Sequence, residues 1–209
     1  QIRSSEAETG LEKVLIKVDT LNQPDDLDAT VEEPAYVFID YSLFLELDFN
    51  PIELSEKEFQ NFLLSDTSSC DFNSFGLYET SYCDEICETF LVELNNKRKT
   101  AAPCDYDQGV LGMNFSPACE KLVVCSSYDG PDYDNYYQHR AEIVVFRMTE
   151  NDGLDALAPS TRITFNNWSI ENYAWINKDE LAVKLYSGSS YESEQNQDYS
   201  YFRLSIKEE

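Results

Sequence analysis

The sequence predicts an all-β protein, an antiparallel β-sandwich of about 8–10 strands with one short helix at about 56–64 and a disulfide-stapled middle segment. Three observations carry this. Short apolar runs with a period of two recur along the chain, no strand–helix–strand rhythm interrupts them, and all six cysteines lie between Cys70 and Cys125. Residues 1–209 read as one domain, with 1–10 loose and long polar loops at 20–34, 126–139 and 188–200.

The most regular run is Tyr36 to Phe49, in which Val37, Ile39, Tyr41, Leu43, Leu45, Leu47 and Phe49 occupy every odd position. Asp40, Glu46 and Asp48 fall on even positions beside Phe38 and Phe44. In a strand the odd series would share one face, so the reading is a central strand with Leu43 and Leu45 buried. Its even face is the ambiguous one, either covered by the helix or part of an acidic, aromatic surface that meets a partner.

Upstream, Leu11 to Asp19 alternates as an edge strand with Lys13 and Lys17, and an acidic loop follows to Pro34. Downstream, Ser55 and Glu58 form a capping box, and Phe59, Phe62 and Leu63 follow at helical spacing, which starts a helix meant to cover an open side of the sheet. Further strands are expected at Phe75 to Thr80, Glu88 to Leu94, Val110 to Phe115, Lys121 to Cys125, Arg140 to Met148, Arg162 to Phe165, Leu181 to Tyr186 and Tyr201 to Ile206, with a strand or aromatic turn at Trp168 to Trp175. Lys97, Arg98 and Lys99 form a basic cluster at an expected hairpin tip beside Asn95 and Asn96.

Charge narrows the choice of partner. Forty Asp and Glu against fifteen Lys and Arg give a formal charge of -25, which disfavours nucleic acid and anionic membranes and favours a basic protein or peptide. No apolar run is long enough to insert in a membrane. Cys70, Cys83, Cys87, Cys104, Cys119 and Cys125 lack metal or redox spacing, and three disulfides are expected, with 15 pairings open. Asn114 and Asn167 head glycosylation sequons, and the chain opens on Gln1 as a chain cleaved from a signal peptide would; together these point to a secreted, extracellular glycoprotein.

Catalysis finds little support. His139 is the only histidine, no nucleophile elbow is present, and Glu46 with Asp48 is the best-placed carboxylate pair in a chain too rich in acids for that to discriminate. No cofactor is expected; the patterns suited to a hard cation, calcium, are Asp129, Asp132 and Asp134 and, as a shorter pair, Asp105 and Asp107. Acids and tyrosines alternate at Asp105, Tyr106, Asp107, Tyr128, Asp129, Asp132, Tyr133, Asp134, Tyr136 and Tyr137, a composition suited to gripping a basic partner. The expected function is a secreted, non-catalytic binding protein for a cytokine, chemokine or cationic peptide, acting as a decoy or immune modulator. The alternatives are a calcium-assisted carbohydrate-binding or carbohydrate-active β-sandwich, stacking sugars on Trp168 or Trp175, and a structural coat or matrix protein.

Overall fold

The computed structural model describes residues 33–65, 69–84, 87–103, 109–128, 139–187 and 198–206. Those after Glu33 belong to one compact unit, Pro34–Glu209. The strand expected at Leu11 to Asp19 lies outside the described residues.

Three sheets are laid down in chain order. The first contains β4 (Leu77–Cys83), β5 (Cys87–Glu93) and β6 (Arg98–Ala101); the second β7 (Val110–Phe115), β8 (Lys121–Tyr128), β9 (Arg140–Met148) and β10 (Leu157–Phe165); the third β11 (Ser169–Asn177), β12 (Glu180–Ser187) and β13 (Asp198–Ser205). Within each sheet these strands run antiparallel to their sequence neighbours. The all-β sandwich architecture is therefore present, with the second sheet in the middle of the stack.

The middle sheet explains why β9 is apolar on both faces. Ala141, Ile143 and Val145 join Trp175, Leu181 and Val183 of the third sheet in one buried cluster. Val144 and Phe146 join Leu77 and Leu91 of the first sheet in another. Alternation fades in such a strand because neither face meets water.

The expected helix forms as α1 (Glu56–Ser65). Ser55 N donates to Glu58 Oε2 at 2.9 Å and Glu58 N to Ser55 Oγ at 3.3 Å, so both halves of the capping box are made. Phe59 is buried, its ring 5.4 Å from that of Tyr201, and α1 packs against β11, β12 and β13 over the outer face of the third sheet. On that face Ala174 and Ala182 are fully buried.

The run from Tyr36 to Phe49 requires a correction. It is not a central strand but the core of a strap, Ala35–Glu53, that visits all three sheets. β1 (Ala35–Tyr36) adds in parallel to β6, β2 (Leu45–Glu46) adds in parallel to β10, and β3 (Ile52–Glu53) adds antiparallel to β13. Val37 N donates to Lys99 O at 2.7 Å, Leu47 N to Arg162 O at 2.9 Å and Leu54 N to Tyr201 O at 2.8 Å, one anchor for each sheet. A 3-10 turn at Tyr41–Leu43, capped by the Asp40 side chain, shifts the alternation out of phase. Phe44 is consequently 6% exposed with its ring on Phe146, whereas Leu43 is 63% exposed and Leu45 also faces solvent. Val37, Ile39 and Tyr41 pack on the cluster between the first two sheets, and Leu47 and Phe49 on that between the last two.

Smaller departures have local causes. The strand expected from Phe75 begins at Leu77, because Phe72–Phe75 forms a 3-10 turn ended by Gly76 at φ 65°. Among the described residues two disulfides form, Cys70–Cys119 and Cys83–Cys87. The expectation of three is corrected at Cys125, a free thiol fully buried in the middle of β8 among the side chains between the second and third sheets. Cys104 lies outside the described residues.

Candidate partner-binding surface

The strap carries the exposed aromatic surface. Phe38 is 86% exposed and in ring contact with the exposed Tyr36 at 5.7 Å, in the extended segment that leaves β1. Beneath it lies a cleft of about 230 Å³ bounded by Val37, Ile39 and Leu43 of the strap, Thr100 of β6, and Leu154, Leu157 and Pro159 where β10 begins. Asp40 stands at the same cleft, its carboxylate accepting from Ser42 N at 2.9 Å and Ser42 Oγ at 2.7 Å. Those hydrogen bonds, the hydroxyl first and the amide second, hold the Asp40 carboxyl below the usual carboxylate range, so it is ionised at neutral pH. An apolar recess with two projecting hydrophobic side chains and a fixed carboxylate suits a side chain that is aliphatic along its stem and cationic at its tip.

Behind the strap, Arg162 connects it to the core. Its Nε donates to the buried Glu142 carboxylate at 2.8 Å, its guanidinium lies over the Tyr41 ring at 5.4 Å, and its Nη1 is 3.6 Å from Glu46. Of the carboxylates weighed for catalysis, Glu46 is thus engaged with a cation and Asp48 is exposed; they are not an isolated reactive pair.

A second set of groups gathers where the tyrosine-rich loops join the sheets. The Arg140 guanidinium lies over the Tyr128 ring at 4.9 Å, and Lys184 Nζ sits 3.9 Å from the Tyr199 ring centroid and 2.6 Å from Glu171 Oε1. Tyrosine and carboxylate here hold a cation within the chain itself, which is the chemistry anticipated for a partner's cation. Of the ten loop residues proposed for recognition, only Tyr128 is described. Asp105, Tyr106, Asp107, Asp129, Asp132, Tyr133, Asp134, Tyr136 and Tyr137, and with them the calcium triplet, lie outside the described residues. Among the described residues no group of three or more His, Cys, Asp or Glu is placed to hold a metal.

His139 meets a serine that is also bonded to a backbone carbonyl. Ser169 Oγ donates to the Tyr128 carbonyl at 3.0 Å, which uses its single proton. His139 Nδ1 lies 2.9 Å from the same Ser169 Oγ. Ser169 is also fully buried.

Trp175 is buried with Nε1 donating to Asn114 O at 3.3 Å, and Trp168 is half-buried against Phe202, so Trp175 offers no face to a sugar. The side chains of Asn114 and Asn167 are both exposed. Arg98, expected at an open hairpin tip, is instead drawn into ion pairs with the buried Glu93 at 2.5 Å and with Asp155 at 2.9 Å. Sequence reasoning missed the cleft, because its walls come from the strap, β6 and the start of β10, which only the stacking of sheets brings together. No helix of the described residues is long and apolar enough to cross a membrane. In comparisons with family models, curated proteins and solved structures, the chain matches none.

Proposed function

We propose that this protein is a non-catalytic binding module for a basic protein or peptide, working in an oxidising extracellular setting. The observation that carries the reading is Phe38, 86% exposed beside an apolar cleft with the Asp40 carboxylate fixed in its wall, on a chain of formal charge -25. Such a net charge draws a basic partner in over long range, and a buried apolar contact at the end of that approach gives the complex its lifetime. The two disulfides and the exposed Asn114 and Asn167 support the extracellular part of the reading. A cytokine, a chemokine or a cationic peptide has the required character, and competition for such a ligand is how a decoy acts.

The test is capture of basic secreted proteins on the immobilised chain, followed by kinetics. The association rate should fall about tenfold or more as salt rises from about 50 to 500 mM, while Phe38→Ala should speed dissociation without changing association. An association rate indifferent to salt, or a Phe38→Ala protein indistinguishable from the parent, would sink the proposal.

A further inference from the structure

Among the described residues, the strap adds a strand to one edge of each sheet and no strand lies beside the other. β1, β2 and β3 occupy the edges beside β6, β10 and β13, so the opposite edges are β4, β7 and β11. Two of these carry a device that discourages pairing. β7 is interrupted by a bulge between Val110 and Gly112, and β11 by bulges between Ile170 and Asn172 and between Trp175 and Asn177. β4 has none. Its pairing with β5 runs without a break from Leu77↔Glu93 to Cys83↔Cys87, it contains neither Pro nor Lys, and every residue after Leu77 is exposed.

We propose that the edge of β4, which no described strand pairs with, takes up an extended basic segment of a partner as an additional strand. Every second residue of an edge strand points its N–H and C=O away from the sheet, and an incoming backbone satisfies them while its alternate side chains fall beside those of the edge. On the outer face these neighbours are Tyr78, Thr80 and Tyr82, the last 64% exposed; on the other face Glu79 and Ser81 follow Leu77.

Charge selects the occupant. Between Lys57 and Lys97 the chain has no Lys or Arg, whereas Glu79, Asp84 and Glu88 lie in or beside this hairpin. A second copy of the chain would bring a second charge of -25 to the same edge, and that repulsion disfavours self-pairing. Lys or Arg at alternate positions of the added strand would meet Glu79 on one face or pass over Tyr78 and Tyr82 on the other. The Cys83–Cys87 disulfide joins residues directly opposite each other at the hairpin end, which ties β4 to β5 before the partner arrives. The charge of the occupant rests on the basic-partner reading above; the surface is a different one.

The experiment compares three short peptides on the intact protein by titration calorimetry: one alternating lysine and valine, the same peptide N-methylated throughout, and one alternating glutamate and valine. The lysine peptide should bind, should lose about tenfold or more on N-methylation because the ladder hydrogen bonds are gone, and should outbind the glutamate peptide. Tyr82→Lys, a change at an exposed position that leaves the unfolding midpoint in place, should weaken the lysine peptide by a similar factor. Amide hydrogen exchange should slow in Leu77–Cys83 when the peptide is present. Equal binding of the methylated and unmethylated peptides, or of the lysine and glutamate peptides, overturns the proposal. So does the absence of any binding or exchange protection. If binding survives Tyr82→Lys but is lost in Phe38→Ala, strand addition fails while the cleft reading stands.

Discussion

The Glu93 carboxylate sits where a side chain on Gly153 would have to go. It accepts from Arg98 Nε at 2.9 Å, from Arg98 Nη2, from the Asn96 side-chain amide, and from Leu154 N at 3.1 Å. The contact joins the end of β5 to the turn that leads into β10, and so fastens the first sheet to the second. Gly153 is at φ 69°, and a Cβ there would collide with the carboxylate. Gly153→Ala should therefore cost about 2–4 kcal/mol, read from urea unfolding. The same change at Gly112, whose added Cβ would meet the Tyr173 side chain, its hydroxyl nearest at 3.1 Å, should cost less.

The strap makes a sharp distinction between two adjacent residues. Phe44→Ala removes a ring packed edge-on against Phe146 at 5.3 Å and should cost about 3–5 kcal/mol. Leu43→Ala removes an exposed side chain and should change stability by no more than about 0.5 kcal/mol. Equal losses at the two sites would put the 3-10 turn in the wrong phase.

Acid stability should follow the serine-held carboxylates. Asp40, Glu58 and Asp71 are each held below the usual range, by the hydroxyls of Ser42, Ser55 and Ser74 first and by the backbone amides of the same residues second. A carboxyl whose folded pKa is depressed contributes stability above its unfolded value, near about 4, and loses it as pH falls through the folded value. Replacing the three serines by alanine should lower the urea midpoint at pH 6, and the gap from the parent should narrow by pH 2 to what the loss of the Ser55 helix cap leaves. A gap independent of pH would show that the serines act by packing alone.

The two bridges and the free thiol should behave differently. Cys70–Cys119 spans 49 residues and is worth about 4 kcal/mol by chain entropy, against about 2 kcal/mol for Cys83–Cys87, which spans 4. Serine pairs at each site, compared by melting, should preserve that order. Burial raises the Cys125 thiol well above its ordinary pKa, with the neighbouring Glu142 charge adding to it. A thiol reagent at pH 8 should spare the Cys125 peptide in the native protein and label it in denaturant, as peptide mass mapping would show.

The sequence by itself determined what is local. Ser55 and Glu58 start a helix because the cap needs only residues three apart, and Asn95–Asn96 mark the turn between β5 and β6 because the flanking runs can pair with no distant help. The opposed faces of β9 were legible too, as Ala141, Ile143 and Val145 on one side and Val144 and Phe146 on the other. Only the tertiary structure decided what the alternation of Val37 to Phe49 is for. A period of two says which side chains share a side of an extended chain, not whether that chain pairs with one sheet throughout or crosses three, and one 3-10 turn exchanges Leu43 for Phe44 in the core. The cleft under Phe38 and the edge position of β4 among the described strands were equally out of reach, because each depends on which strand ends beside which. The fate of Cys125 was decided the same way, by its place in the middle of β8 with its side chain turned into the packed space between two sheets.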